Sequence, residues 1–95
     1  MNNYNNPKKE YISLADLPLN EEGLISRING GRGITGRLNS MGVQAGQTIE
    51  KICGSFLGGP VVFKIKNTYS IAVGHGIARK IILEYNKKNE PKQKL

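Results

Sequence analysis

A thiol and an imidazole are well suited to nucleophilic catalysis, and this sequence has one of each. The single cysteine, Cys53, and the single histidine, His75, are 22 positions apart. They could act as a pair only if the fold brought them within hydrogen-bond reach, and no local motif favours that. They also fall short of the three or four ligands of a stable metal site. The sequence therefore predicts that the protein is not an enzyme, and it leaves Cys53 and His75 as weak candidates for contact with a divalent transition metal.

Residues 31–36 read GRGITG, a literal G-x-G-x-x-G that follows an apolar run and precedes a helix-like segment. In a dinucleotide-binding loop this pattern is followed by a substantial helix and by an acidic residue about 20 positions later. Here the helix is short and Glu50 comes too early. A P-loop does not fit either, because Arg37 and Leu38 stand where Lys and Ser or Thr are required. We therefore expect the glycines to let the chain leave a strand and enter a short helix, without a nucleotide cofactor.

The elements that must position any functional side chain are short, and most of them are strands. Val61, Phe63 and Ile65 alternate with Val62, Lys64 and Lys66, which is the period of a half-buried strand. Alternation and β-branched residues predict five strands, at 24–29, 47–53, 61–66, 69–73 and 81–85. Single helical turns are expected at 13–17 and within 74–80.

One longer helix is predicted between the first two of these strands. Ile34, Leu38 and Met41 fall at i, i+4 and i+7, which places them on one helix face. Gly42 follows at the position where helices commonly end in a left-handed residue. Val43 could then contact Leu38, as in a Schellman ending.

Length and composition limit the fold to one small domain. The chain has 95 residues, with 12 glycines and no tryptophan, which favours short strands joined by tight turns. Short strands of this kind are typical of a small antiparallel barrel. Residues 11–85 form the predicted domain. Residues 1–10 and the Lys-rich residues 86–95 are predicted to be disordered tails because they are polar and lack apolar periodicity.

The formal net charge is +7, and more than half of the excess lies on the two tails. Lys64 and Lys66 share one face of a strand, but no aromatic residue accompanies them, so nucleic-acid binding is the less favoured interpretation. No segment resembles a signal peptide or is long enough to span a membrane. With a single cysteine, these features predict a cytoplasmic protein without membrane insertion.

Several stretches, in the same order, resemble the FeoA family of ferrous iron transport proteins. The most specific is the run R-L-x-x-M-G followed by an apolar residue and a later glycine, with G-G-P downstream. The resemblance covers about residues 12–84, and its segments are Leu14–Leu17, Gly23–Ile28, Arg37–Val43 with Gly46, Leu57–Pro60, Tyr69–Val73 and Gly76–Ile81.

The resemblance implies an SH3-like barrel with a short helix after the first strand, mainly β, with about five strands and one or two short helices. It also implies a non-enzymatic protein that supports a FeoB-type ferrous-iron transporter, which has a cytosolic G-protein domain. No cofactor or small-molecule substrate is implied, although weak contact with Fe²⁺ stays open. A similar domain ends some iron-dependent repressors, so a regulatory or nucleic-acid-binding barrel is the alternative.

Docking on such a partner would use the helix and the loops, since loops carry function while strands carry the fold. The predicted contact residues are Arg37, Met41, Phe56, Leu57 and His75. Two alternatives stay open for Leu57, which either is exposed for docking or folds back onto the barrel. His75 stands where many family members have arginine, so a contact at this position would become sensitive to pH near neutrality.

Overall fold

In the part of the chain that the structure describes, six antiparallel strands form one sheet, and two helices pack beside it. The structure is a computed structural model that describes residues 9–55 and 57–86. The strands are β1 Lys9–Ser13, β2 Glu22–Ile28, β3 Thr48–Ser55, β4 Gly58–Ile65, β5 Ser70–Val73 and β6 Ile81–Asn86. The helices are α1 Gly31–Ser40 and α2 His75–Ala78, and a 3-10 turn spans Leu14–Asp16. The strand order is β1-β6-β2-β3-β4-β5.

The sequence predicted about five strands, and the additional one is β1. This strand begins at Lys9, inside the segment that was predicted as a disordered tail. It pairs with β6, with Lys9 opposite Asn86 and Ser13 opposite Ile82. The Nζ atom of Lys9 lies 3.2 Å from a carboxylate oxygen of Glu84. A polar edge strand whose partner lies far along the chain gives little local signal, which is why it was missed. Residues 1–8 and 87–95 of the predicted tails lie outside the described residues.

The alternation seen in the sequence matches the burial of β4 and β5. Val61, Phe63 and Ile65 are buried, whereas Lys64 is exposed. Strand β5 continues the same register, with Ile71 opposite Phe63. The buried core draws on the strands, on the 3-10 turn and on both helices. Its fully buried large side chains are Phe63, Leu14, Leu17, Ile25, Ile49, Ile81, Leu83, Val43 and Val61.

Cys53 ends an apolar stretch of β3, from which a small buried residue would be predicted, and this prediction is wrong because a β-bulge interrupts the strand. Lys51 pairs with Phe63 and Cys53 pairs with Val62, so Ile52 is an extra residue on β3. Side chains alternate across a regular strand, and an inserted residue moves those beyond it to the other face. Cys53 is therefore exposed, with a free thiol.

The same strand buries a lysine. The Lys51 side chain is 3% exposed, and its Nζ donates a hydrogen bond of 2.8 Å to the carbonyl oxygen of Ala15 in the 3-10 turn. Burial lowers the pKa of Lys51, while the negative charge of Asp16 acts in the opposite direction. The ammonium group thus ties the 3-10 turn to β3.

Helix α1 begins within the glycine motif, earlier than its apolar pattern suggested. Gly30 is the N-cap, and a Cβ atom there would lie 2.7 Å from Cγ2 of Ile34. Only glycine lets the chain pass so close to the helix. Gly30 therefore forms the strand-to-helix junction, and residues 31–36 of the motif lie within α1.

The predicted end of α1 is confirmed. The amide of Val43 donates to the carbonyl of Leu38, and the amide of Gly42 donates to the carbonyl of Asn39, each at 2.9 Å. These are the two hydrogen bonds of a Schellman motif. Gly42 has φ +89°, which is the left-handed region where glycine is favoured. Leu38 and Val43 are both buried, so this ending fixes α1 against the core.

Candidate docking site

A cleft of about 190 Å³ separates α1 from the end of β5 and the start of α2. Arg37 and Met41, two of the predicted contact residues, lie side by side on its helical wall. The opposite wall comes from the last residues of β5 and from α2. The full lining is Ile34, Arg37, Leu38, Met41, Ala72, Val73, Gly74 and Ile77.

The helical wall follows from the apolar pattern of α1. Ile34, Leu38 and Met41 occupy one face, but they are buried to different degrees. Leu38 belongs to the core, Ile34 is half-buried, and Met41 is 39% exposed at the mouth of the cleft. A methionine side chain is flexible and polarisable, so it can adapt to different apolar groups. Arg37 is exposed beside these residues and adds a positive charge.

Tyr69 holds the end of this wall in place. Its hydroxyl donates a hydrogen bond of 3.0 Å to the carbonyl oxygen of Met41. Tyr69 is 54% exposed, although alternation with Ile71 in the predicted strand 69–73 would place it on the buried face. The structure begins β5 at Ser70, so Tyr69 lies in the turn before it and escapes the alternation.

Leu57 lies beyond the cleft, at the tip of the β3–β4 hairpin. It is 85% exposed, which excludes the alternative that it folds back onto the barrel. Its amide donates to the hydroxyl of Ser55, which shapes the tip. Val61 follows Leu57 by four residues, and it pairs with Val73, which lines the cleft. Four residues span at most about 14 Å, so one partner surface could contact both Leu57 and the cleft. Phe56 lies outside the described residues.

His75 lies next to the cleft without lining it. It is the first residue of α2 and follows Gly74, which does line the cleft. The imidazole is half-buried, and its Nε2 atom is buried without a hydrogen-bond partner among the described residues. Its place between two glycines favours an exposed position on a turn, whereas the structure half-buries the imidazole.

The structure does not supply Cys53 or His75 with a complete set of metal ligands. Within residues 9–55 and 57–86, no group of three or more histidine, cysteine, aspartate or glutamate side chains is placed to hold a metal ion.

In the same part of the chain, no helix is long and apolar enough to cross a membrane.

The sequence missed half of the cleft. Ala72, Val73 and Ile77 form the wall opposite α1, and none was predicted as a contact residue. Their apolar character could only be taken as a sign of core packing. The one sequence signal for the cleft was the apolar face of α1. This face continues to Met41, past Leu38, which packs in the core.

Comparisons with known proteins agree on one family. A family model described as FeoA domain matches residues 12–85. A curated protein of Methanocaldococcus jannaschii, provisionally named Fe(2+) transport protein A, is 37% identical over 73 residues. That match covers 74% of this chain and 85% of the relative.

Solved structures of similar proteins share the fold. A crystal structure of an iron uptake regulatory protein, FeoA, has a TM-score of 0.70 at 24% identity and covers 78% of this chain and 96% of its own. FeoA of Stenotrophomonas maltophilia, described as an SH3 domain protein and crystallised with zinc, has a TM-score of 0.64 at 20% identity, with 76% and 88% covered. The mainly β, SH3-like fold that the sequence predicted is confirmed.

The same fold also occurs within a larger regulator. A manganese-dependent transcriptional repressor has a TM-score of 0.70 at 15% identity. The match covers 81% of this chain but 37% of the repressor. At this identity the likeness concerns the fold alone, because one fold can serve several functions.

Proposed function

Because this chain belongs to the FeoA family, we propose that it is an accessory protein of ferrous iron uptake that docks on the cytosolic part of a FeoB-type transporter and modulates transport. The family is associated with ferrous iron transport, as the names of its members state. Fe²⁺ is then the cargo of the transporter and not a resident cofactor of this protein.

The exposure of Leu57 is the observation that carries the proposal. A leucine that is 85% exposed at a hairpin tip does not stabilise the barrel by burying apolar surface. Large apolar side chains that are exposed beside a cleft are typical of protein–protein contact sites. The cleft wall offers apolar contacts and one arginine, and its lining contains no carboxylate, thiol or imidazole. This chemistry supports binding as the activity of the protein.

Calorimetry against the purified cytosolic domain of the host's FeoB-type transporter tests the proposal. Titrations with and without guanine nucleotide should give saturable binding for the wild-type protein. Leu57→Asp should weaken binding at least tenfold, since it places a charge in an apolar contact. Leu19→Asp is the matched control, because Leu19 is 50% exposed in the turn before β2. Both variants should unfold at the wild-type temperature.

Two results would contradict the proposal. The first is an absence of binding to the cytosolic domain in every nucleotide state. The second is equal binding by the wild-type protein and Leu57→Asp. The alternative, a regulatory barrel that binds nucleic acid, predicts affinity for DNA that falls steeply with salt. Fe²⁺ uptake by cells that carry each variant then reports whether docking changes transport and in which direction.

A further inference from the structure

The elements that line the cleft contain no acidic residues. No aspartate or glutamate occurs in residues 23–49 or 51–83, and these two ranges contain every residue that lines the cleft. The acidic residues of the described part are Glu10, Asp16, Glu21, Glu22, Glu50 and Glu84. Helices α1 and α2 and strand β5, which form the walls of the cleft, therefore carry no negatively charged side chain.

Five exposed cations lie on β2, on α1 or directly after α2, and we call them the basic rim: Arg27, Arg32, Arg37, Arg79 and Lys80. Two of them lie in or close to the cleft lining. Arg37 lines the cleft, and Arg79 ends α2 two residues after Ile77 of the lining.

Hydrogen bonds through Asn29 connect Arg27 with Lys80, which follows α2 by two residues. The carbonyl of Lys80 accepts a hydrogen bond of 2.7 Å from the amide of Asn29, and Nε of Arg27 donates to Oδ1 of that asparagine. Arg32 lies in the first turn of α1, which starts two residues after Asn29.

The basic rim is not compensated, whereas other lysines of the barrel are. Within the described residues the ion pair is that of Lys9 with Glu84, and no rim residue takes part in a salt bridge. Lys64 lies opposite Glu50 on the neighbouring strand. Lys64 and Lys66 also share a surface depression with Glu22 and Glu50. Exposed cations without an ion pair are thus found on β2, on α1 and after α2.

The size and lining of the cleft limit what can enter it. A volume of about 190 Å³ is below the roughly 300 Å³ of small-molecule pockets, so it fits one large apolar side chain. Apart from Arg37 the lining is apolar, and it holds no aromatic ring on which a nucleobase could stack. An anchor side chain with charged neighbours is a common arrangement at the centre of a protein interface.

We infer that the cleft between α1 and α2 receives one apolar side chain from an acidic segment of a protein partner, whose carboxylates pair with the basic rim. This inference rests on the proposed function and adds the chemistry of the contact to it. Charge complementarity would speed the encounter, and the apolar anchor would fix the register.

Charge reversal with a charge-matched control tests the inference. Binding of the purified cytosolic transporter domain is measured for Arg37→Glu/Arg79→Glu and for Lys64→Glu/Lys66→Glu. The rim variant should lose at least about tenfold in affinity, since such losses follow from like-charge contact. The β4 variant carries the same change in net charge and should stay within about threefold of wild type. Wild-type affinity should fall as salt screens the pairs.

A third variant separates the anchor from the charges. Ala72 is exposed on the strand wall of the cleft, so Ala72→Leu fills the cleft without changing the charge. It should weaken binding at high and at low salt alike. Equal binding by the rim and β4 variants, or unchanged binding by Ala72→Leu, would overturn the inference while the transporter remains the partner.

If the wild-type protein does not bind the transporter domain, the proposed function fails and the surface is tested by itself. The probes are the peptide DEELEED, the peptide DEESEED, phosphatidylserine vesicles and single-stranded DNA. NMR shifts at the cleft with DEELEED, absent with DEESEED, would support the inference. Rim-dependent binding of vesicles or DNA without any shift from DEELEED would overturn it.

Discussion

The hydroxyl of Tyr69 donates a hydrogen bond to the carbonyl oxygen of Met41 and lies directly over Gly42. A residue before β5 thus closes the end of α1, which forms one wall of the cleft. Gly42 has φ +89°, and a Cβ atom at this position would collide with the Tyr69 hydroxyl. The helix end therefore excludes side chains for two independent reasons.

Gly42→Ala should lower the free energy of unfolding by about 1–3 kcal/mol, because the left-handed backbone is strained for alanine and the tyrosine must move. Urea unfolding measures the change. Gly33→Ala is the control, since Gly33 lies in the exposed part of α1 with open space around it. It should be neutral or stabilise by up to about 1 kcal/mol. Equal destabilisation by the two substitutions would contradict this account of Gly42.

Tyr69→Phe should cost about 0.5–1.5 kcal/mol, which is the usual contribution of one hydrogen bond. Hydrogen exchange in the last turn of α1 should accelerate as well, because the carbonyl of Met41 loses its hydrogen bond to the Tyr69 hydroxyl. The substitution also removes the oxygen that a Cβ on Gly42 would meet. The double variant Gly42→Ala/Tyr69→Phe should therefore be more stable than the sum of the single effects predicts. Strict additivity would show that the collision is relieved elsewhere.

Lys51→Met should change how stability depends on pH. Burial lowers the pKa of Lys51 below its ordinary value of 10.5, against the opposing charge of Asp16. Between the folded-state pKa and 10.5, the unfolded state binds more protons, so wild-type stability gains with rising pH. At lower pH the full cost of the buried charge is present. Lys51→Met lacks this titration, and it also leaves the carbonyl of Ala15 without its partner, at a cost of about 1–3 kcal/mol.

The measurement compares urea unfolding of the wild-type protein and Lys51→Met from pH 7 to pH 10. The difference should move in favour of the wild-type protein as pH rises. Burial, followed by the charges of Glu21 and Glu10, raises the pKa of Tyr85, which acts in the opposite direction above pH 10. That contribution is common to both proteins and cancels in the difference. A difference that does not vary with pH would contradict the assignment to Lys51.

Cys53 should react with a thiol reagent in the native protein at a rate close to that of an unfolded thiol, because the bulge at Ile52 exposes it. Cys53→Ser should change the free energy of unfolding by no more than about 0.5 kcal/mol. Reaction only under denaturing conditions would place the thiol inside the barrel and would contradict the bulge.

Local sequence patterns predicted those parts of the fold whose contacts are local. Gly42 with Leu38 and Val43 identified the helix ending, because both hydrogen bonds of the Schellman motif lie within six residues. The alternation from Val61 to Ile65 identified β4. Strand β1 was not predictable in this way, since its partner β6 lies about seventy positions away and its own residues are polar.

The candidate site was predictable only on its helical side. Arg37 and Met41 were identified, whereas Ala72 and Ile77 were not, because the opposite wall forms only when β5 and α2 pack beside α1. Lys51 gave no sign of burial, since a lysine in a strand is expected to face solvent. The exposure of Cys53 depends on one inserted residue in the pairing of β3 with β4, which no local pattern encodes.

The pairing of Lys9 with Asn86 brings the two ends of the barrel side by side, so the order of its strands along the chain could be permuted. Paired residues of antiparallel strands lie about 5 Å apart, so a short peptide linker could join these two positions. New ends could then be opened at the exposed turn of Asn67 and Thr68, between β4 and β5. Circular permutation is tolerated at such exposed turns. In this barrel the permutation would interrupt the turn between β4 and β5 but would keep every strand pair. It would also leave the cleft between α1 and α2 unchanged.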